Sequence, residues 1–333
     1  MNMKKWLVEL ASSKDKKALP ILSFPTVNLL GISVRELIMD GAKQAEGMRL
    51  IAERTDSAAA VSLMDLSVEA ECFGAEVHIS DDEVPTVVGC LISTEEEADA
   101  LEVPAVGSAR SALYIEAIKK AKESIKDRPV LAGMIGPFSL AARLLDVSEI
   151  MINCYDEPEM VHTVMQKTTA FLIEYAKAYC EAGADGIVMA EPVAGLLSPS
   201  LEEEFSAPYV KKIIDAVQDD SFAVIYHNCG NNTPMMIPSL ISTGAMAYHF
   251  GNSIDLEIML KAFPKDVPVM GNIDPVGVLR NGTVETVRAA TLALMEQCTQ
   301  YPNFVISSGC DIPPVTPWEN LDAFFASVAE FYN

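Results

Sequence analysis

The sequence predicts an α/β fold of the (β/α)8 TIM-barrel type, and three observations predict it. Short apolar runs alternate with longer segments whose apolar residues recur every three or four positions. Eight such runs are present, which is the number of strands in the barrel. The length of 333 residues suits one barrel with additions, and no linker composition divides the chain. A single domain over residues 1–333 is therefore expected.

The eight predicted strands are short and bounded by turn residues or by helical patterns. This is expected of strands that are buried on both faces of a parallel sheet. In chain order they are 20–24, 57–64, 129–135, 186–190, 222–226, 245–250, 267–271 and 304–307. A doubly wound open sheet is the alternative, but no glycine-rich phosphate loop follows the first run, which weakens a nucleotide-binding version of that fold.

Amphipathic segments predict helices between these strands. An N-terminal helix over about residues 3–17 is expected on the outside of the barrel. The other predicted helices are 34–55, 109–126, 158–182, 201–218, 254–262, 284–300 and 317–331. After the second strand, residues 76–80 and 85–92 break the alternation and predict a β-hairpin insertion over the barrel mouth.

Composition excludes several classes of function. A formal net charge of −23 argues against a nucleic-acid partner, which requires a basic face. The chain contains no uncharged apolar run of about 18 residues, so no membrane span is expected. Its first residues lack the apolar region of a signal peptide, and its seven cysteines are typical of reduced thiols in a cytoplasmic protein.

Soft metal ligands follow the fifth predicted strand. Side chains alternate between faces in an extended chain, so His227 and Cys229 point the same way. Cys310, which ends the eighth run, is the best candidate for a third ligand. One imidazole and two thiolates suit zinc and leave a coordination position open for chemistry. Each residue taken singly is equally compatible with inert packing, because free cysteines are usually buried.

Polar residues also follow other predicted strands, at the barrel end that carries the chemistry. Asp65 and Asn272 are candidate catalytic residues that position a substrate, and Glu191 and Asp274 are candidate cofactor-binding residues. Capping is an equally good interpretation of Asp274. His249 is a weaker candidate ligand, because a lone histidine more often packs or caps.

The turn at residues 136–141 begins a helix, and its backbone amides are expected to face an anionic group. This turn is one of four segments that resemble the uroporphyrinogen decarboxylase superfamily. The segments are 136–141 (GPFSLA), 183–186 (GADG) leading to 194–199 (AGLLSP), 271–275 (GNIDP) and 308–317 (SGCDIPPVTP). The decarboxylase itself is metal-free and grips tetrapyrrole carboxylates with arginines in the loop after the first strand. Here that loop, residues 25–31, contains no arginine, and the first arginine of the chain is Arg35.

The spacing of His227, Cys229 and Cys310 instead resembles the superfamily's zinc methyltransferases, as do residues 64–71. This resemblance implies a Zn²⁺ ion on those three side chains and a methylated corrinoid carried by a small partner protein. It also implies a thiol such as coenzyme M, or tetrahydrofolate, as the methyl acceptor. In the wider family a carboxylate can sit near the end of strand six, where this chain has Gly251.

The predicted function is therefore zinc-dependent methyl transfer between a corrinoid protein and a thiol or tetrahydrofolate. Two thiolates and a neutral imidazole cancel the double charge of zinc, which keeps a bound substrate thiolate electron-rich. Two alternatives stay open: a decarboxylase that has lost the usual arginines, and a non-catalytic corrinoid-binding or metal-binding protein. The sequence also leaves a homodimer open.

Overall fold

The computed structural model describes residues 1–332. Within this range the chain forms nine strands, which are bounded as follows: β1 (Ala60–Val61), β2 (Glu76–His78), β3 (Thr86–Val88), β4 (Val130–Ile135), β5 (Gly186–Ala190), β6 (Ala223–Asn228), β7 (Ala247–Phe250), β8 (Val269–Ile273) and β9 (Phe304–Ser308).

The helices of the same range pack on the outside of the sheet, close one end of the barrel or lie within the connections between strands. They are α1 (Met3–Ser12), α2 (Thr26–Leu30), α3 (Val34–Ile38), α4 (Gly41–Arg54), α5 (Val68–Cys72), α6 (Glu95–Ala100), α7 (Ser111–Ser124), α8 (Pro137–Leu145), α9 (Val147–Asp156), α10 (Pro158–Glu181), α11 (Pro199–Phe205), α12 (Ala207–Val217), α13 (Ile237–Ser242), α14 (Leu256–Ala262), α15 (Val284–Cys298) and α16 (Trp318–Glu330).

Seven parallel strands form one curved sheet in the order β1-β4-β5-β6-β7-β8-β9. The extended segment 18–21 lies between the two sheet edges. Leu19 N–H donates to the carbonyl of Ile306 in β9 at 2.9 Å, and Ala58 N–H donates to the carbonyl of Ala18 at 2.8 Å. This segment therefore takes the place of the eighth strand, and the predicted TIM-barrel architecture is confirmed.

The first predicted strand, 20–24, is wrong in detail. Residues 18–23 make isolated hydrogen bonds and no regular ladder, and Pro25 already leads into α2. Pro20 explains part of this difference, because proline has no N–H to donate to a neighbouring strand. The second predicted strand, 57–64, likewise shortens to the two ladder residues of β1.

Side chains inside the barrel and side chains under the outer helices form two separate apolar clusters. In β5 and β6 the inner cluster contains Val188, Ala223 and Ile225, whereas the intervening residues pack outward. The apolar stripe of α1 (Met3, Leu7, Ala11) belongs to the inner cluster. The expectation that this helix lies on the outside is therefore wrong: α1 closes the amino-terminal end of the barrel.

The predicted hairpin is confirmed as the antiparallel pair β2 and β3. Two long predicted helices are each divided in the structure: 34–55 becomes α3 and α4, and 201–218 becomes α11 and α12. The first break follows from Asp40, whose side chain accepts the N–H groups of Ala42 and Lys43 and thereby starts a new helix. No helix within residues 1–332 has the length and apolarity needed to cross a bilayer.

Candidate metal centre

The site begins with two neighbouring strands in register. His227 of β6 pairs with His249 of β7, and both imidazoles lie on the inner face of the barrel, where they are buried. Adjacent parallel strands place register partners about 5 Å apart, so their side chains stand side by side. The ring centroids of the two histidines are 4.7 Å apart.

His227, Cys229 and Cys310 come together at the carboxyl ends of β6 and β9. One ligand atom from each residue lies within 4.8 Å of the others, and Sγ of Cys310 lies 3.6 Å from Nε2 of His227. Tetrahedral zinc with ordinary bond lengths holds a sulfur and a nitrogen ligand about 3.6 Å apart. The donor set and its spacing therefore fit Zn²⁺.

The thiol groups of the two cysteines lie next to each other and interact. A hydrogen bond between them lowers the pKa of Cys229 and, together with burial, raises the pKa of Cys310 to about 12. The two sulfur atoms therefore lie close enough to interact, and both thiols lose their protons when they bind a cation. The side chain of Asn228 fixes the turn after β6 that carries Cys229, because its Oδ1 accepts from Gly230 N–H at 3.0 Å and from the hydroxyl of Thr233 at 2.9 Å.

A hydrogen-bonded chain sets the tautomer of His227. The hydroxyl of Ser307 donates to the carbonyl of Leu19 at 2.7 Å, so its oxygen accepts from Nε2 of His249 at 2.8 Å. Burial lowers the pKa of His249 well below its usual value, which leaves this ring neutral and its Nδ1 an acceptor. His227 then donates from Nδ1 across 2.8 Å, and its Nε2 lone pair faces the cysteines.

We expect His249→Phe to weaken zinc binding about 10- to 100-fold, because an outer partner orients the ligating imidazole and fixes its proton. Competition with a chelating dye measures the dissociation constant. His162→Phe is the matched control, since His162 lies on α10, outside the group of candidate ligands. An unchanged zinc affinity in His249→Phe would contradict the role of the chain.

The three candidate ligands border a cavity of about 430 Å³. His227, Cys229 and Cys310 contribute to its wall, and the hairpin segment 82–87 covers it on one side. The remaining wall residues include Ile21, Met64, Pro192, Arg143, Arg280, Asp311, Pro313, Pro314 and Val315. A small molecule in this cavity is therefore in reach of the candidate metal ligands, as a catalytic zinc site would require.

The family model of uroporphyrinogen decarboxylase (URO-D) matches residues 26–331 of the chain. The chain belongs to the uroporphyrinogen decarboxylase family. Both branches of this family occur among its relatives. It is 32% identical over 264 residues to a methylcobamide:CoM methyltransferase MtbA of Methanosarcina acetivorans, covering 77% of this chain and 75% of that protein. It is 27% identical over 282 residues to a uroporphyrinogen decarboxylase of Coxiella burnetii, covering 82% and 77%.

A solved structure shares the whole fold. A methyltransferase from Methanosarcina mazei superposes with a TM-score of 0.87 over 100% of both chains, at 24% sequence identity. This likeness confirms the barrel that the alternation of strands and helices predicts.

The position at which the resemblance leads us to expect a further carboxylate is Gly251, directly after β7. A side chain at Gly251 would bring its Cβ within 2.6 Å of the Cα of Cys229. Glycine is therefore needed for the close approach of the two loops. Among the described residues, the cluster of candidate ligands has three members, His227, Cys229 and Cys310.

The family segment at 136–141 does begin a helix, α8, but its amides already have an anionic partner. The buried carboxylate of Glu191 accepts from Phe138 N–H at 2.8 Å and from the N–H and hydroxyl of Ser139 at 3.0 and 2.8 Å. Gly136 leaves the room for it, since a Cβ there would overlap the carboxylate. The structure thus places Glu191 as a cap for α8, away from the cavity wall, which does not support its predicted cofactor contact.

Asp65 is also buried away from the cavity wall. Its carboxylate pairs with Arg110 and accepts from the hydroxyl groups of Tyr114 at 2.7 Å and Ser67 at 2.6 Å. Arg110 in turn reaches Glu71 at 2.7 Å. Both oxygens of the Asp65 carboxylate therefore have hydrogen-bond partners inside the protein. The catalytic role of Asp65 stays a prediction.

Asn272 and Asp274 both shape the loop after β8 and lie outside the cavity wall. The amide of Asn272 donates to the carbonyls of Gly251 and Ile254 at 2.8 and 2.7 Å. Asp274 accepts from two backbone N–H groups at 2.8 and 2.9 Å and caps the helical turn Pro275–Arg280. The capping interpretation of Asp274 fits this geometry, and Asn272 joins the loops that follow β7 and β8.

Sequence reasoning missed Ser307 and the two cavity arginines, Arg143 and Arg280. A signal for Arg143 was present: it is the one charged residue of α8, whose sequence is PFSLAARLL. A single charge in an otherwise apolar helix indicates a specific role for that residue, because burial of a charge is costly in free energy.

Two other buried acids predict how stability depends on pH. Burial raises the pKa of Glu69 to about 8 and that of Glu202 to about 7. The folded protein therefore binds more protons than the unfolded chain between about pH 4.3 and these values, so the free energy of unfolding falls as pH rises through that window. We expect the Tm of the metal-free protein to fall from pH 5 to pH 8. Glu202→Gln should flatten the profile, whereas Glu203→Gln on the exposed neighbour should leave its slope unchanged.

Proposed function

We propose that this chain is a zinc-dependent methyltransferase that moves a methyl group between a methylated corrinoid protein and a thiol. The observation that carries the proposal is the convergence of His227, Cys229 and Cys310 at the wall of a cavity large enough for a small thiol. The methyltransferase relatives within the family support the same activity. A cytoplasmic location, where thiols stay reduced, belongs to the proposal.

The charge of the three side chains suits alkyl transfer. Zinc, when bound, deprotonates a coordinating thiol at neutral pH. Cys229 and Cys310 as thiolates balance the double charge of the ion, and His227, whose Nδ1 is hydrogen-bonded to Nδ1 of His249, offers the lone pair of its Nε2. The added sulfur of a substrate therefore keeps enough electron density to act as a nucleophile. Three histidines would leave a net positive charge, which favours activation of water instead.

The transfer itself is a displacement at carbon. The thiolate sulfur of the substrate attacks the methyl group of methylcob(III)alamin, a carbon–sulfur bond forms, and the cobalt–carbon bond breaks. The electron pair of that bond stays on cobalt, which leaves as cob(I)alamin. The chain's contribution is to hold the sulfur at the open end of the barrel and to keep water away with the apolar wall formed by Ile21, Met64 and Pro192.

Exposed apolar residues support docking of a corrinoid protein at the barrel mouth. Leu196, Met235, Val276 and Val315 are 50%, 58%, 46% and 45% exposed, and each lies in the loop region that follows a different strand end. Val315 also lines the cavity. Apolar side chains around an opening are typical of a protein-docking surface.

The decarboxylase alternative lacks its anion ligands in the first loop. Residues 25–31 contain no arginine, and Arg35 is turned toward the hairpin, where it pairs with Asp81 at 2.9 Å and contacts the carbonyl of Ile79. Half of the Arg35 side chain is exposed, at 51%. It does not line the cavity. Decarboxylation of a tetrapyrrole through this loop is therefore not supported.

The function is tested by incubating the zinc-loaded protein with methylcobalamin and 2-mercaptoethanesulfonate. We expect cob(I)alamin to appear in the absorption spectrum, together with the methyl thioether by mass spectrometry. Tetrahydrofolate replaces the thiol in a parallel reaction, and uroporphyrinogen is supplied alone in a third. Loss of carboxylate from uroporphyrinogen without methyl transfer would overturn the proposal, and corrinoid-protein binding without turnover would indicate a non-catalytic member of the family.

A further inference from the structure

The hairpin of β2 and β3 is attached to the rest of the protein at few points. Its two strands pair with each other and not with the barrel sheet. At its base, Ala75 N–H donates to the carbonyl of Ala70 at 3.0 Å, and Leu91 N–H donates to that of Leu144 at 2.7 Å. Gly89, with a φ of 71°, lies just inside this base and has open space around it. A two-stranded hairpin is marginally stable alone, so its position depends on contacts with other elements.

Arg35 supplies most of these contacts. Its Nε donates to Oδ1 of Asp81 at 2.9 Å, and its Nη2 donates to the carbonyl of Ile79. The N–H of Val34, the preceding residue of α3, donates to the carbonyl of Asp81 at 2.8 Å. Among residues 1–332, all hydrogen bonds that join the hairpin segment 76–88 to the rest of the chain come from these two residues of α3. The position of the hairpin tip therefore depends on one arginine and one backbone amide.

The hairpin also forms part of the cavity wall. Val84, Pro85 and Val87 line the cavity, and the exposed tip residues 82–83 stand at its edge. In the two strands Val77 and Val87 are half-buried, whereas the residues on either side of them are exposed. One face of the hairpin is therefore apolar and turned inward, as expected of a cover that separates a cavity from water.

The size of the cavity distinguishes the two reactants of the proposed function. A volume of about 430 Å³ accommodates a small thiol. The methyl group of a methylated corrinoid is bonded to cobalt at the centre of a macrocycle, so a broad ring face has to approach the sulfur. This macrocycle with its side chains exceeds the size of the cavity, and segment 82–87 covers one side of it. Admission of the corrinoid therefore requires the hairpin to move.

We propose that the hairpin of β2 and β3 is a lid over the cavity, and that Arg35 is the positioning residue that holds this lid closed. The inference rests on the proposed function, because it assigns the closed lid to retention of the thiol and the open lid to the approach of the corrinoid. The side chains of Arg35 and Asp81 are 51% and 72% exposed, and exposed ion pairs contribute little free energy. The closed position is therefore favoured only modestly, as a lid that opens in each turnover requires.

The first test measures the lid without any reaction. Hydrogen exchange of the zinc-loaded protein, followed by mass spectrometry, reports opening of segment 76–88. Arg35→Gln should speed exchange in this segment about 3- to 10-fold and leave β5 unchanged, because an ion pair and a charged hydrogen bond are lost. Asp81→Asn should act in the same direction. Unchanged exchange in Arg35→Gln would overturn the lid.

Lys43→Gln is the matched control for this exchange experiment. Lys43 forms an exposed ion pair with Glu36 of α3 at 3.3 Å and does not bond to the hairpin. Its removal should leave exchange in segment 76–88 unchanged. Equal acceleration in Lys43→Gln and Arg35→Gln would show a general loosening of α3 and would contradict a specific role for Arg35.

The second test compares two Michaelis constants, with methylcobalamin as the corrinoid and 2-mercaptoethanesulfonate as the thiol. A ligand shifts an equilibrium toward the state that it binds better. Arg35→Gln should therefore raise KM for the thiol about 3- to 10-fold and lower KM for methylcobalamin by a similar factor. A rise in both constants would show that Arg35 merely supports the cavity wall, and would overturn its role in holding a lid.

The two tests separate the lid from the proposed function. If Arg35→Gln speeds exchange in segment 76–88 but the wild-type protein transfers no methyl group, the lid stands and the methyltransferase proposal fails. If methyl transfer proceeds while neither the exchange nor the two KM values respond to Arg35→Gln, the methyltransferase proposal stands and the lid fails.

Discussion

Cys310→Ser is expected to remove zinc from the protein and to lower the rate of methyl transfer by roughly a thousandfold or more. The thiolate is a strong zinc ligand that a hydroxyl does not replace, and a Lewis acid supplies several kcal/mol of stabilisation to the reaction it serves. Cys229→Ser should have the same effect, because the two sulfur atoms share one site. Atomic emission gives zinc per chain, and loss of methylcobalamin absorbance gives the rate.

Cys180→Ser is the control for this prediction, since Cys180 is exposed on α10 and lies outside the candidate cluster. It should retain one equivalent of zinc and the wild-type rate. A full equivalent of zinc together with normal methyl transfer in Cys310→Ser would show that the three side chains do not hold a catalytic ion.

Arg110→Met is expected to lower the free energy of unfolding by about 3–5 kcal/mol, because it leaves the carboxylate of Asp65 buried without its counter-charge. The side chain of Asp65 is 0% exposed and that of Arg110 is 3% exposed, so water does not compensate for the loss. Urea-induced unfolding of the metal-free protein measures the change. Arg49→Ala is the control: its ion pairs with Glu46 and Glu53 are on the surface and should contribute less than about 1 kcal/mol.

A second substitution separates structure from catalysis at Asp65. The double variant Arg110→Met with Asp65→Leu removes both charges and should regain much of the lost stability. If it then transfers methyl groups at close to the wild-type rate, the pair is structural. A folded double variant whose kcat falls 100-fold or more would instead support the predicted catalytic role of Asp65.

Several features of this protein were predictable because they depend on short-range periodicity. The alternation of apolar runs and amphipathic segments predicts the barrel, and the period of two in an extended chain places His227 and Cys229 on one face. The hairpin of β2 and β3 follows from two β-prone runs around Asp81 and Asp82. These features needed no knowledge of which side chains meet across the fold.

Other features could not be predicted from the sequence, because the partner of a polar group lies far away in the chain. Glu191 caps α8 from 52 positions away, so the amides that seemed free for a ligand are occupied. Asp65 is neutralised by Arg110, 45 positions later. The sequence shows that α1 has one apolar face, but it does not show which surface that face covers. In the structure this face covers the open amino-terminal end of the barrel.

The sequence by itself determined the strand–helix order, the position of Cys229 and His227 on one inner face, and the soft chemistry of Cys310 as a third candidate ligand. Only the tertiary structure decided that Cys310 lies 3.6 Å from His227, that His249 orients the imidazole rather than joining the ligands, and that Arg143 reaches the cavity without a partner. The physical reason is that the local sequence pattern fixes the face to which a side chain points. Which residues that side chain contacts is decided by closure of the barrel, which brings together residues hundreds of positions apart.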